Sequence, residues 1–204
     1  MSNKLLILDF GSQFTQLIAR RARELGFFSF IIPGTSPLKR IQDFNAGAII
    51  LSGGPNSTYE EGSPQLNADF WTFVDDKKLP VLGVCYGMQL IVREFGGEIK
   101  SAHKKEYGRM NVAVNTPHPL FANINSFEAW MSHGDETVKL PNEFKQIATS
   151  AEGAVASISH QSRLVISKAF TPLASLKILK NSSPSGPSFT YDGSGDLAWA
   201  TRST

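Results

Sequence analysis

The chain has 204 residues, of which 41% are hydrophobic and 19% charged, so it can form one domain with a packed core and is too apolar to be disordered. Its net charge of +2 and single cysteine exclude a strongly basic nucleic-acid or membrane surface and an internal disulfide framework. No apolar run reaches the ~18 residues that a spanning helix needs, and the opening segment is not typical of a signal peptide. We therefore expect a cytoplasmic protein with no nucleic-acid or membrane partner.

The first half of the chain alternates between short apolar runs and segments of helical periodicity. The predicted strands are 5–8, 27–32, 46–51 and 80–84, and the predicted helices are 12–25, 69–74 and 86–95. Strands that alternate with helices form a parallel sheet covered on both faces. The predicted fold class is therefore α/β, with an open, mostly parallel sheet, and we expect Phe27, Phe28 and Phe30 to pack in its core.

The second half of the chain has weaker patterns. The predicted strands are 98–101, 110–114 and 144–150, with an element of undecided type at 127–131. We predict one domain over residues 1–180, with an atypical sequence from about residue 165. In the segment 181–204, 14 of 24 residues are Ser, Thr, Gly or Pro, so we predict a low-complexity, disordered tail.

Cys85 lies between a predicted buried strand and a predicted helix, with Gly83 and Gly87 two residues away on either side. This is the spacing of a nucleophile elbow, in which the flanking residues are small because the turn is tight and strained. The N-terminus of the following helix favours the thiolate, and the N–H of Tyr86 is placed to donate to an oxyanion. A buried structural cysteine has the same local pattern, so the spacing alone leaves both interpretations open.

A second glycine turn, at Gly53 and Gly54, also follows a predicted strand. In open α/β sheets the carboxyl ends of the strands form the edge where ligands bind, and bare glycine N–H groups can bind an anion there. An ordinary Gly-Pro turn explains the same residues. No Lys-Ser or Lys-Thr follows the glycines, which excludes a phosphate loop.

These turns belong to a set of longer motifs that carry a family resemblance. The motifs are ILDFGSQFTQLIARRARELG at 7–26, LSGGPNSTYEEGSP at 51–64, PVLGVCYGMQL at 80–90, HKKEYGRM at 103–110 and MSHGDETVKLP at 131–141. Over roughly three quarters of its length the chain resembles the class I (triad) glutamine amidotransferase family, in its GMP synthase branch. The resemblance implies a flavodoxin-like sheet with helices on both faces.

The resemblance also implies a role for individual residues. Cys85 would attack the side-chain amide of glutamine and form a thioester, while the N–H groups of Gly54 and Tyr86 hold the oxyanion. The residues implied in substrate binding are Gln89, Glu106, Ser132, His133 and Asp135. The released ammonia would pass to an ATP-pyrophosphatase (synthetase) domain or subunit that aminates XMP to GMP. No cofactor or metal is implied for this chain, since ATP and Mg²⁺ would belong to that synthetase.

The resemblance fails at the histidine and glutamate that complete the family's triad in a Phe-His-Pro-Glu string. In this chain Phe170 and Pro172 keep the spacing, but Thr171 and Leu173 occupy the other two positions. Two interpretations remain open, namely divergence that removed the base and a shifted reading frame or engineered tail after about residue 164. The segment LKILKN at 176–181 then resembles the closing helix of the family.

Two classes of function therefore compete. The chain is a glutaminase, or it is an impaired amidotransferase-like module that binds glutamine or regulates a synthetase. A cysteine hydrolase acting on another amide is disfavoured, because it leaves the Ser-His-Gly-Asp motif unexplained. We expect His133 to belong to the substrate-binding stretch rather than to replace the base, and His160 is the other histidine to examine.

Overall fold

The computed structural model describes residues 3–121, 123–171, 177–183 and 186–190, with side chains at 103–106, 132–133 and beyond 169 outside this description. The helices are α1 (Thr15–Glu24), α2 (Leu38–Phe44), α3 (Phe70–Lys77) and α4 (Tyr86–Glu94), with a 3-10 turn at Pro119–Phe121. No helix in these described ranges is long and apolar enough to cross a membrane.

Ten strands form one sheet. In chain order they are β1 (Lys4–Asp9), β2 (Phe28–Pro33), β3 (Ala48–Leu51), β4 (Val81–Val84), β5 (Glu98–Val114), β6 (Ser126–Lys139), β7 (Phe144–Ser150), β8 (Val155–His160), β9 (Val165–Lys168) and β10 (Phe170–Thr171). Their order across the sheet is β10-β6-β5-β7-β8-β9-β4-β3-β1-β2. The five strands β2-β1-β3-β4-β9 are parallel, in the flavodoxin-like order. The predicted α/β class is confirmed, and antiparallel pairing of the other strands makes the sheet mixed.

Both faces of the inner parallel strands β1, β3 and β4 are buried, as their continuous apolar sequences require. Successive residues of a strand point to opposite faces, so Leu5 and Ile7 of β1 pack with α1 while Leu6 and Leu8 pack with the helices of the opposite face. That opposite face is covered by α2, α3 and α4 through Ile41, Phe70, Trp71, Val74 and Ile91. The sheet is therefore held from both sides, which fixes β4 and its turn in the middle of the molecule.

The second half of the chain differs from its sequence-based prediction in several places. The segments 98–101 and 110–114 belong to the single long strand β5, and 127–131 lies within β6. Strands β8 and β9 were not predicted, and neither was helix α2 in the first half of the chain. The helix expected at 176–181 is wrong, because strand β11 (Lys177–Ser183) pairs antiparallel with strand β12 (Gly186–Thr190). Of the tail predicted to be disordered, 181–204, residues 181–183 and 186–190 lie in these two strands, whereas 191–204 lie outside the described residues and their disorder stays a prediction.

Three phenylalanines, Phe27 just before β2 and Phe28 and Phe30 within it, divide between core and surface. Phe27 is buried, as expected, but the prediction is wrong for Phe28 and Phe30, which are 57% and 44% exposed. The reason is that β2 is the outermost strand of the parallel part of the sheet. Both rings stack on Phe44 of α2, with centroid distances of 6.1 and 5.6 Å, which covers one side of each ring.

Candidate active site

Cys85 occupies a strained turn between β4 and α4. Its backbone has φ 48° and ψ −108°, a positive-φ conformation that a residue with a side chain rarely adopts. Such strain persists only where the surrounding structure enforces it, and it is characteristic of functional turns. The turn presents the sulfur at the N-terminus of α4, where the partial positive charge of the helix lies.

The two flanking glycines are required by close packing. A Cβ atom at Gly83 would lie 2.6 Å from Cδ1 of Ile91, and one at Gly87 would lie 2.3 Å from the carbonyl oxygen of Leu51. Real Cβ atoms do not approach backbone so closely, so larger residues would push α4 away from β3 and β4. The glycine spacing in the sequence thus reflects contacts that hold the elbow against the neighbouring strand.

The glycine loop that follows β3 lies directly beside the elbow. The N–H of Gly87 donates to the carbonyl of Ser52 at 3.1 Å, and a Cβ atom at Gly53 would lie 3.5 Å from Cβ of Cys85. Gly54, Cys85 and Tyr86 line one cleft. Within the described part of the chain, the N–H groups of Gly54 and Tyr86 have no hydrogen-bond acceptor. The two residues that carry these donors therefore line the cleft together with Cys85.

Tyr86 is fixed firmly in this position. Its side chain is buried, its ring lies 5.4 Å from that of Phe10, and its hydroxyl donates to the carbonyl of Pro64 at 2.7 Å. Burial raises the pKa of the Tyr86 hydroxyl, so the phenol stays neutral and keeps its donor role. The first residue of α4, and with it the backbone N–H, is held by these contacts.

Gln89 and Asp135 line the same cleft as Cys85. The side-chain oxygen Oε1 of Gln89 is buried and, among the described residues, has no hydrogen-bond donor. A buried carbonyl oxygen without a donor costs free energy, so a ligand with an N–H group would satisfy it. Gln89 lies one turn into α4 from the elbow, which explains why it reaches the region of the sulfur.

Asp135 is held by two residues that the sequence analysis did not identify. Its carboxylate accepts hydrogen bonds from the hydroxyls of Ser57, at 2.6 Å, and Tyr59, at 2.8 Å. These contacts join the glycine loop to β6 across the cleft. The pairing spans more than 75 residues of chain, so no local pattern in the sequence could have indicated it.

The remaining predicted binding residues lie on the β5–β6 ladder. Glu106 pairs with His133, and Tyr107 pairs with Ser132, in antiparallel register. The side chains of Glu106, Ser132 and His133 lie outside the described residues, so their predicted roles stay predictions. Tyr107 and Asp135 of the same two strands line the cleft, which brings this ladder to the site.

The two histidines whose side chains are described lie away from the sulfur. His160 is buried between Phe95 and Phe144, and its Nδ1 accepts the N–H groups of Ser162 and Arg163 at 3.1 Å. Burial lowers its pKa, as it does for His118, whose Nδ1 accepts the N–H of Leu120. The strand register aligns His160 with the start of β4, about 13 Å from Cys85 along the strand.

Strand β9 ends next to Cys85, where a base from the last parallel strand would arrive. The N–H of Cys85 donates to the carbonyl of Lys168 at 2.9 Å, and its thiol contacts the carbonyl of Ala169 at 3.5 Å. Thr171, two residues further, pairs with Trp130 in the β10–β6 ladder, and Leu173 lies outside the described residues. Lys168 itself is fully buried, and sequence analysis did not single it out.

No metal centre is evident in the ranges of the chain that the structure describes. They contain no cluster of three or more His, Cys, Asp or Glu side chains that could bind an ion. The described residues of the site offer a thiol, backbone donors and a few polar side chains.

Comparison with known proteins gives consistent matches. The glutamine-hydrolysing GMP synthase of Borrelia garinii subsp. bavariensis is 46% identical over 82% of this chain, and that of Desulfotalea psychrophila is 40% identical over 83%. The chain spans about a third of the length of these relatives, 31% and 33% respectively. The solved structure of a GMP synthase subunit from Thermoplasma acidophilum superimposes with a TM-score of 0.74 at 29% identity, covering 83% of each chain.

The family model described as glutamine amidotransferase class-I matches residues 6–172. This range includes the elbow, the glycine loop, the β5–β6 ladder and the end of β9, and it stops just after Thr171. The elbow geometry around Cys85 and the extent of this match lead to one conclusion: the chain belongs to the class I glutamine amidotransferase family.

Proposed function

We propose that this chain binds glutamine in the cleft beside Cys85 and acts as the glutaminase part of a GMP synthase. The observation that carries the proposal is the strained turn of Cys85, which lines one cleft with Gln89 and with Gly54 and Tyr86, whose N–H groups have no acceptor among the described residues. A thiol beside such donors is suited to attack a carbonyl carbon and to hold the resulting oxyanion.

In the proposed reaction the Cys85 thiolate attacks the side-chain carbonyl carbon of glutamine, and the N–H groups of Gly54 and Tyr86 bind the oxygen as it becomes negative. The oxyanion then re-forms the carbonyl, the C–N bond breaks, and the amide nitrogen gains one proton and leaves as ammonia. Water hydrolyses the thioester, which releases glutamate and returns the thiol of Cys85. Gln89 and Asp135 would hold the amino-acid end of the substrate. The predicted contributions of Glu106, Ser132 and His133 to the same binding remain part of this proposal.

The ammonia would be used by an ATP-dependent synthetase domain or subunit that converts XMP to GMP in the cytoplasm. The support for this partner is that the two relatives compared above are GMP synthases about three times as long as this chain. The solved neighbour from Thermoplasma acidophilum, which is similar in length to this chain, is itself described as one subunit of such an enzyme. ATP and Mg²⁺ would bind to that partner, and this chain would need no cofactor.

A second function is supported by the lack of a histidine near the sulfur among the described side chains. His118 and His160 face other parts of the molecule, and Thr171 carries a hydroxyl that cannot accept a proton at pH 7. A chain in this state would bind glutamine and form the thioester slowly, acting as an impaired module that senses glutamine for a synthetase. Loss of a triad member typically lowers the rate by orders of magnitude.

One experiment tests the proposed site. The chain is incubated with a diazoketone analogue of glutamine, and the mass of the peptide containing Cys85 is measured with and without glutamine. We expect covalent modification of Cys85 that glutamine slows, and no modification in Cys85→Ala. Absence of labelling in the folded chain, or labelling that glutamine leaves unchanged, would reject the proposed function. Ammonia release from glutamine in the same samples separates a working glutaminase from the impaired module.

A further inference from the structure

Lys168 is a charged residue in an apolar position. It is the last residue of β9, its side chain is 1% exposed, and it stands opposite Val84 in the parallel register with β4. Residues opposite each other in the register share a face of the sheet, and on this face Leu82, Val84 and Ile166 belong to the hydrophobic core. Lysine is almost never fully buried unless a partner stabilises its charge.

The titratable neighbour that the structure places beside it is Cys85, which packs against the same hydrophobic cluster of the core. The backbones of the two residues are hydrogen bonded, with the Cys85 N–H donating to the Lys168 carbonyl at 2.9 Å. Burial lowers the pKa of the Lys168 ammonium from 10.5 to about 7, and the negative charge of Cys85 acts in the opposite direction. Val84 of β4, Cys85 of the following turn and Ser157 of β8 lie beside Lys168. Of these three, Cys85 is the titratable group.

We propose that Lys168 takes the proton of the Cys85 thiol and then faces the thiolate as an ammonium ion. In this step the S–H bond breaks, the proton binds the lone pair of Nζ, and the electron pair stays on the sulfur. No other reactant is needed, and the net charge of the pair does not change. The transfer would supply the thiolate that a histidine supplies in a complete triad.

Lys168 could do only part of what the histidine of a triad does. Lys168 is not among the described residues that line the cleft, whereas Cys85 and Ala169 are. The lysine therefore acts through the sulfur, as a positioning residue, and does not reach the amine that leaves the substrate. The sulfur would react readily with electrophiles, yet turnover of glutamine would stay slow. The inference rests on the proposed function in one respect, namely that Cys85 is the nucleophile.

The test is the pH dependence of alkylation of Cys85 by iodoacetamide, a small electrophile that needs no substrate site. Because Cys85 is the single cysteine, the measured rate belongs to it alone. The variants are Lys168→Met, which removes the charge at similar length, and Lys145→Met, a matched control at an exposed lysine of β7. We expect the control to match the unmodified chain, and Lys168→Met to react about tenfold more slowly at pH 7, with its midpoint moved toward the ordinary thiol value of about 8.5.

Equal midpoints in the unmodified chain and in folded Lys168→Met would overturn the inference. If Lys168→Met does not fold, Lys168→Gln takes its place, and its midpoint is compared with that of the unmodified chain in the same way. An ordinary midpoint of about 8.5 in the unmodified chain would also reject the pair. Glutamine in the same assay keeps the two proposals apart. Alkylation that depends on Lys168 but is not slowed by glutamine would reject only the proposed function. Alkylation that glutamine slows but that does not depend on Lys168 would reject only the pairing of Lys168 with Cys85.

Discussion

Two regions that meet at Cys85 differ in how completely they keep the features of an amidotransferase site. The strand–turn–helix unit of β4 and α4 has its strained cysteine, its two obligatory glycines and its backbone donors. Strand β9 reaches the sulfur at the right place, but it ends in a buried lysine, and Thr171 follows instead of a histidine. The nucleophile depends on one continuous segment, so it survives intact when the distant segment that supplies the base changes.

The largest effect is expected from restoring the second region. Thr171→His combined with Leu173→Glu would supply a proton acceptor and its orienting carboxylate near the end of β9. General acid–base catalysis typically contributes a factor of about 100 to 10,000, so we expect ammonia release from glutamine to rise by about 100-fold or more. The same pair of substitutions in Cys85→Ala is the control and should release no ammonia. If the unmodified chain already hydrolyses glutamine about once per second, the conclusion that its second region lacks a working base is wrong.

A smaller effect is expected from disturbing the first region. Gly87→Ala places a Cβ atom 2.3 Å from the Leu51 carbonyl oxygen, which cannot move without breaking the β3–β4 contact. We expect the free energy of unfolding to fall by about 2 kcal/mol, measured by urea denaturation. Gly62→Ala is the control, because a Cβ atom there meets nothing within 4 Å, although its φ of +76° still adds some strain. Equal losses in the two variants would show that the packing around the elbow is not tight.

The buried lysine makes the stability of the second region depend on pH. The folded-state pKa of Lys168 is about 7 against 10.5 for an exposed lysine, so between these values the unfolded chain binds more protons. Stability must then rise with pH, by about 1 kcal/mol between pH 7 and pH 8. Urea denaturation at both pH values should show this rise in the unmodified chain and in Lys145→Met, but not in Lys168→Met. If the free energy of unfolding rises equally in the unmodified chain and in both variants, the pH dependence comes from groups other than Lys168.

The smallest effect is expected at the contact between the glycine loop and β6. The carboxylate of Asp135 accepts one hydrogen bond from Ser57 and one from Tyr59. Ser57→Ala or Tyr59→Phe removes one of the two hydroxyl donors and leaves the other hydrogen bond in place. We expect the concentration of glutamine that half-protects Cys85 from alkylation to rise two- to threefold, consistent with about 0.5 kcal/mol for a partly exposed hydrogen bond. Alkylation without glutamine should not change. If either variant weakens the protection of Cys85 by glutamine as much as Gln89→Ala does, the contact with Asp135 is required for glutamine binding and does more than position the carboxylate.

The sequence predicted the four parallel strands β1 to β4 well because each is defined locally, whereas the fifth, β9, was not predicted. Each signal lies within one short continuous segment of the sequence: the periodic helix after β1, the apolar run of β4 and the Gly83–Cys85–Gly87 spacing. It predicted the antiparallel strands poorly, since β5 and β6 are half exposed and owe their length to pairing with each other. The expected helix at 176–181 failed because it rested on resemblance in a segment where the resemblance had ended.

The sequence by itself determined the family, the nucleophile turn and the two residues that break the triad, because these are patterns of neighbouring residues. Only the tertiary structure decided which strand lies beside β4, and therefore that Lys168 is buried next to Cys85. It also decided that Ser57 and Tyr59 bind Asp135, and that Phe28 and Phe30 lie at an edge of the sheet. Burial, pairing and pKa depend on residues far apart in the chain, and a linear pattern does not contain those distances.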